Sequence, residues 1–213
     1  MNKFYTRTKK LLGGLALKVF RVRSINLEKE PQGVPFIVCC NHTSALDVAV
    51  ISSALKSQVR YLSKKEVFRV PILASFAKSM GAIPVDRGGS DVGAVKKSIE
   101  ILKGGECMGI FPQGTRRKKQ DPSTTPTKNG IGMIASRSGV GILPVCIITK
   151  KNKLSMFRKT YFVVGDFIPP EALEFPELSG KEKYDEITAL AFGKVCELYH
   201  KGALPKANGG LLE

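Results

Sequence analysis

Residues 34–55 read VPFIVCCNHTSALDVAVISSAL, and the way this stretch divides decides the fold. PFIVCC is an unbroken apolar run, the pattern of a strand covered on both faces. DVAVISSAL reads as a helix, and the polar NHTS before it as a turn. On a continuous helix, side chains five positions apart diverge by about 140°. His42 and Asp47 therefore meet only if the strand ends near Cys40 and the chain turns. So placed, Asp47 stands in the first turn of the helix and reaches back to the imidazole. The pair is then either a general base with its orienting carboxylate or a satisfied histidine at the end of a buried strand. The chain holds only 2 histidines, so acid–base chemistry near neutral pH rests largely on His42.

Working outward, strand and helix signals alternate. VRYLS is a strand, PILASFAKSM a helix stopped at Gly81, AIPV a short strand, and SDVGAVKKSIEILKGG a helix ending in glycine. CMGIF, GIGMIASRSG, VGILPVCII and KTYFVVG continue as strand, helix, strand and strand, before a final amphipathic helix over about 181–199. This order predicts an α/β fold, a central mixed sheet flanked by helices, with ligands at the strand ends. The basic, Pro- and Thr-rich TRRKKQDPSTTPTKNG, residues 115–130, is expected to be a mobile flap beside a site.

The bulk composition fits one large domain: 213 residues, 43% of them hydrophobic. With 34 Lys and Arg against 18 Asp and Glu, the net charge of +16 predicts an anionic partner. Cys39, Cys40, Cys107, Cys146 and Cys196 have no metal-ligand spacing and read as thiols in a reducing compartment. No metal or bound cofactor is expected. The first apolar run lacks a signal-peptide cleavage pattern, so the protein is expected on the cytosolic side. In MNKFYTRTKKLLGGLALKVFRVR, Phe4, Leu11, Leu15, Val19 and Val22 recur at helical spacing opposite Arg7, Lys10, Lys18 and Arg21. This pattern predicts a basic amphipathic helix that lies in a membrane interface, or packs on the domain with its basic face in solvent.

Two further clusters bear on chemistry. IFPQGTRRKK puts a glycine turn and four cations at the end of a strand, and GAIPVDRGG puts Arg87 beyond another; both suit a phosphate, and a solvated loop explains either arginine taken separately. A nucleic-acid module would explain the charge but not these clusters, and no RNP-like aromatic motif occurs, so no nucleic-acid partner is expected. A serine lipid hydrolase would need a GxSxG elbow, which the chain lacks.

NHTSALD, KKEVFRVPILASFAKSMGAIPVDR, FPQGTR and ILPV, in this order, resemble the four motif blocks of the glycerolipid acyltransferases, most closely the bacterial 1-acyl-glycerol-3-phosphate enzymes. The likeness spans about residues 34–166. It implies an acyltransferase domain over residues 31–213, preceded by the membrane-associating segment 1–30. It further implies that His42 deprotonates the free hydroxyl of a lysophosphatidic acid, which attacks the thioester of acyl-CoA or an acyl-carrier protein, with Asp47 orienting the ring. Arg87 and Arg116, with Lys64 or Lys65, would bind the acceptor phosphate in a pocket shaped by Gly114 and Thr115. Ser44 would support the turn, and Pro144 marks the fourth block. The family commonly has Glu where this chain has Gln113, which would make the acceptor pocket more cationic. The location implied is the cytoplasmic face of an anionic membrane, peripheral or monotopic. An acyltransferase for another lysolipid, or a non-catalytic membrane-binding protein on the same scaffold, are the alternatives.

Overall fold

The computed structural model describes residues 13–69, 71–79, 81–85, 91–203 and 210–211. Helix α1 (Gly14–Val19) leads into β1 (Val22–Ile25), followed by β2 (Phe36–Cys40), α2 (Asp47–Ala54), β3 (Val59–Lys64), α3 (Pro71–Ser79) and β4 (Ala82–Val85). Then come α4 (Asp91–Lys103), β5 (Cys107–Ile110), α5 (Gly130–Ser138), β6 (Gly141–Thr149), β7 (Thr160–Val164) and α6 (Gly180–Ala203). The strands form one sheet in the order β1-β7-β6-β2-β5-β3-β4, with every pairing parallel except β6 with β7. The mixed α/β architecture expected from the alternation is therefore present.

Strand β2 sits between β6 and β5, and all five of its residues are buried. Its side chains alternate between two apolar layers, as the period of two requires. Ile37 and Cys39 join Met108, Ile142, Ile131 and Ile187 on the face covered by α4, α5 and α6. Phe36, Val38 and Cys40 join Phe20, Val50, Ile51 and Phe162 on the face covered by α1 and α2. Pro144 in β6 lies where the β7 ladder is interrupted, between the Ile142–Ile168 bridge and the Val145–Val164 pair. Its missing N–H thus costs no ladder bond.

Two expectations are corrected. The N-terminal helix does not continue through Val22: within the described residues it ends at Val19, Arg21 takes φ 44°, and Val22–Ile25 becomes an edge strand. Val19 and Val22 fit a helical stripe by spacing, but pairing of residues 22–25 with Thr160–Val163 satisfies their backbone in the sheet. Glu30, 3% exposed, accepts the N–H groups of Lys56 and Ser57 at 2.8 and 2.7 Å, so residues 22–30 are built into the domain. Residues 1–12, which carry the rest of the amphipathic pattern, lie outside the described residues. The second correction concerns the loop 115–130, expected to be mobile. It is tied at Arg117 N to His42 O (2.7 Å), Lys119 N to Asn152 O (3.0 Å) and Lys128 N to Pro112 O (2.8 Å). Asp121 caps a turn over Pro122–Thr124 and meets His200 of α6 at 3.2 Å.

Helices α5 and α6 cross at Gly132, where an added methyl would collide with the carbonyl of Tyr184. Gly193, in α6, faces open space. Gly132→Ala is expected to lose ~1–3 kcal/mol of stability by overpacking, while Gly193→Ala gains up to ~1 kcal/mol from helix propensity. Denaturant unfolding of the two variants checks the opposite signs.

Candidate active site

The turn between β2 and α2 is built around one carboxylate. Asp47 is fully buried at the first position of α2. Its Oδ2 accepts the backbone N–H groups of Thr43 (2.7 Å) and Ser44 (2.8 Å) and lies 3.0 Å from His42 Nδ1. Its Oδ1 accepts the Thr43 hydroxyl at 3.3 Å. A carboxylate only accepts hydrogen bonds, so in the neutral ring Nδ1 carries the proton and Nε2 keeps its lone pair. The helix N-terminus adds favourable backbone dipoles to the same carboxylate. Ser44 Oγ accepts the Leu46 N–H at 3.2 Å, which gives Ser44 a role in shaping the turn.

The strand has to stop where this turn begins, and Asn41 ends it. Its Oδ1 accepts the Ile147 N–H and its Nδ2 donates to the Ile147 carbonyl, each at 2.9 Å. The amide thereby extends the β2–β6 ladder with a side chain while the backbone leaves the sheet. His42 follows directly, with its side chain 17% exposed.

The end of β5 closes the other side of the ring. Phe111 stacks on His42 with centroids 4.0 Å apart and planes 17° from parallel, and Tyr61 of β3 lies beyond it at 6.3 Å. A methyl on Gly109 would strike the Tyr61 ring, so the glycine admits this stack. The next turn positions the cations. Gly114 takes φ 67°, the left-handed region in which glycine is unstrained, and its N–H donates to Phe111 O at 3.0 Å. Thr115 and Arg116 beyond it are exposed. The Arg117 N–H bonds the His42 carbonyl at 2.7 Å, which joins the cationic turn to the histidine turn.

Gln113, expected in the acceptor pocket, is held by the two turns it joins. It is 4% exposed; its Oε1 accepts the His42 N–H at 2.7 Å and its Nε2 donates to Thr125 Oγ1 at 2.6 Å. Its amide thereby links the His42 turn to the basic loop. Lys64 ends β3 opposite Val85, the last residue of β4, and Lys65 begins the turn Lys65–Arg69 with an exposed side chain. Arg87 lies outside the described residues. Because β2, β5, β3 and β4 run parallel, His42, Arg116, Lys64 and Lys65 all stand at the carboxyl edge of the sheet.

Sequence reasoning missed Phe111, Asn41 and the bonds from Gln113 and Arg117. Only their adjacency to the NHTSALD and PQGTR stretches marked them. Among the described residues, no group of three or more His, Cys, Asp or Glu is placed to hold a metal ion. The thiols are poor nucleophiles: desolvation raises Cys39, Cys40, Cys107 and Cys146, and lifts Cys196 to about 11.

A buried carboxylate holds a partly exposed histidine beside a cationic turn at the carboxyl edge of a mostly parallel sheet, an arrangement chemically able to take a proton beside an anionic group. Residues 21–148 match the family model described as Acyltransferase, and the chain belongs to that family of enzymes. A relative from Bacillus subtilis (strain 168), named 1-acyl-sn-glycerol-3-phosphate acyltransferase, is 30% identical over 183 residues, 84% of this chain and 89% of its own. A Helicobacter pylori protein of the same name is 30% identical over 85% of this chain and 78% of its own. The crystal structure of the 1-acyl-sn-glycerophosphate (LPA) acyltransferase from Thermotoga maritima shares the fold, with a TM-score of 0.66 over 93% of this chain and 84% of that one at 22% identity.

Asp47→Asn replaces an acceptor with an amide of nearly the same shape. His42 is then expected to lose its single tautomer, read by 15N NMR of the ring, and kcat to fall by roughly 10²–10⁴ with the substrates' KM little changed.

Proposed function

We propose that this enzyme transfers a fatty acyl group from a thioester, acyl-CoA or an acyl-carrier protein, to the free hydroxyl of 1-acyl-glycerol-3-phosphate, giving phosphatidic acid. The observation that carries the reading is the 2.7 Å bond from Arg117 N–H to the His42 carbonyl, which makes the base and the phosphate-seeking turn one unit. The names of the relatives favour this acceptor over other lysolipids.

In this reading the lysolipid phosphate sits at Arg116, assisted by Arg87 and by Lys64 or Lys65, with Gly114 and Thr115 shaping the turn. Guanidinium groups suit a phosphate because their paired donors match its oxygens. The acceptor hydroxyl then lies against Nε2 of His42. Nε2 takes the hydroxyl proton as the oxygen bonds to the thioester carbonyl carbon. The tetrahedral intermediate collapses, the C–S bond breaks with its electron pair on sulfur, and the imidazolium returns the proton to give the free thiol. Asp47 stabilises the imidazolium in between, and the face of Phe111 lies over the same charge. No acyl-enzyme is required.

Access to the acceptor places the enzyme at a membrane. Among the described residues no helix is long and apolar enough to cross one. The proposed association is peripheral or monotopic, at an anionic cytoplasmic surface, with the basic segment that precedes β1 as anchor.

The test is transfer of a labelled acyl group to lysophosphatidate in mixed micelles. His42→Ala is expected to lower kcat by ~10²–10⁴, and a variant that keeps its rate would remove the general base. Arg116→Ala is expected to raise the acceptor KM by roughly tenfold or more while sparing the donor KM. Equal effects on both would move Arg116 out of the acceptor site.

A further inference from the structure

The turn between β6 and β7, residues 150–159, reads KKNKLSMFRK: five basic side chains and no acid. At its tip Met156 is 63% and Phe157 71% exposed. Phe157 also takes φ 61°, a conformation rare for a bulky side chain and costly to hold. Packing of the domain gives no reason to strain the backbone in order to put an aromatic ring into water. The strain is held by a 2.6 Å bond from Phe157 N–H to the carbonyl of Val19, the last residue of α1.

That bond joins the tip to a second basic and apolar surface. Leu15, one turn before Val19, is 56% exposed. Residues 13–27 contain Lys18, Arg21 and Arg23 and no acid. A cleft of about 320 Å³ between the two segments is lined by Leu17, Lys18, Arg21, Val22, Arg23 and Lys159.

The topology puts this surface on the edge that carries the site. β6 runs parallel to β2, so its end at Thr149 lies toward His42. Thr160 opposes Thr149, and Val22 opposes Thr160, so the start of β1 is on that edge as well. Asn152, buried in the same turn, accepts the Lys119 N–H at 3.0 Å and donates to Gln120 O at 2.9 Å. The turn and the basic loop that follows Arg116 are thus fastened together.

We infer that the β6–β7 turn is a membrane-docking wedge: Met156 and Phe157 enter the acyl region of an anionic bilayer while the surrounding cations meet its headgroups. This rests on the membrane-associated reading above and adds a contact independent of the N-terminal segment. Adjacent apolar side chains that project from the surface, ringed by cations, match hydrocarbon beneath anionic headgroups. An acidic protein would be met by the cations alone and leaves the exposed Met and Phe unexplained.

The chain has no Trp, so Phe157→Trp in the full-length protein gives a single emitter at the tip. With phosphatidylcholine–phosphatidylglycerol vesicles, its emission is expected to shift to the blue and to be quenched by lipids brominated along the acyl chain. Pure phosphatidylcholine should produce much less of either. Met156→Ser combined with Phe157→Ser should weaken vesicle binding on the order of tenfold and leave turnover of a water-dispersed short-chain acceptor unchanged. If the protein sediments with the vesicles while the emission stays put, the wedge is wrong and the membrane reading stands. If it neither sediments nor shifts, both fall. A shift produced by protein concentration alone, or by acyl-carrier protein without lipid, would assign the tip to self-association or to the donor and overturn the wedge. Failure to acylate lysophosphatidate in micelles would overturn the proposed reaction without altering the emission result.

Discussion

Removing a carboxylate from water is among the costliest acts in folding, and Asp47 is fully buried. Its burial is tolerable only because the chain delivers donors to it: two backbone N–H groups, a threonine hydroxyl and the imidazole Nδ1. Those donors come from residues 42–44, so satisfying the carboxylate dictates the path of the turn. The same bonds fix the histidine's tautomer. The bonds that satisfy the buried carboxylate therefore also orient the histidine, the geometry that the proposed base would need.

A turn fixed this firmly serves as a foundation for what docks on it. The backbone of His42 is held at both ends by the β5 loop, its N–H by Gln113 and its carbonyl by the N–H of Arg117. The backbone of Arg116 is thus adjacent to a residue bonded to His42, which fixes where its exposed side chain starts. Phe111, packed flat on the imidazole, blocks one face of the ring. The ring's remaining freedom is small, which is the preorganisation that proton transfer rewards.

Much of this was legible from sequence because it is written in local pattern. The apolar run ending at Cys40, the turn demanded by the His42–Asp47 offset and the alternation of strands and helices all depend on near neighbours. The structural bonds of Gln113 were not legible for the opposite reason: its partners, His42 and Thr125, are 71 and 12 residues away. The tethering of the basic loop was hidden in the same way, since its bonds to His42 and Asn152 are long-range. At the N-terminus Val19 and Val22 fit a helical stripe, and only pairing of residues 22–25 with β7 separates helix from strand.

The two ends of the sheet differ in how their charges are paired. Asp166, just past β7, pairs with Lys29 at 2.7 Å at the end of the sheet away from His42. The β6–β7 turn at the opposite end has five basic residues and no acid. On the proposed reading, an anionic surface would attract this basic edge before contact, over a Debye length of about 8 Å at physiological salt. The face so presented holds the histidine, the arginine turn and the apolar tip together. On the proposed reading, a lysolipid would meet its phosphate ligands at headgroup height with its acyl chain still among other chains. The acceptor hydroxyl, bonded next to that phosphate, would then reach His42 without the lipid being lifted into water, and the hydrophobic cost of extracting a fatty chain would not enter the barrier.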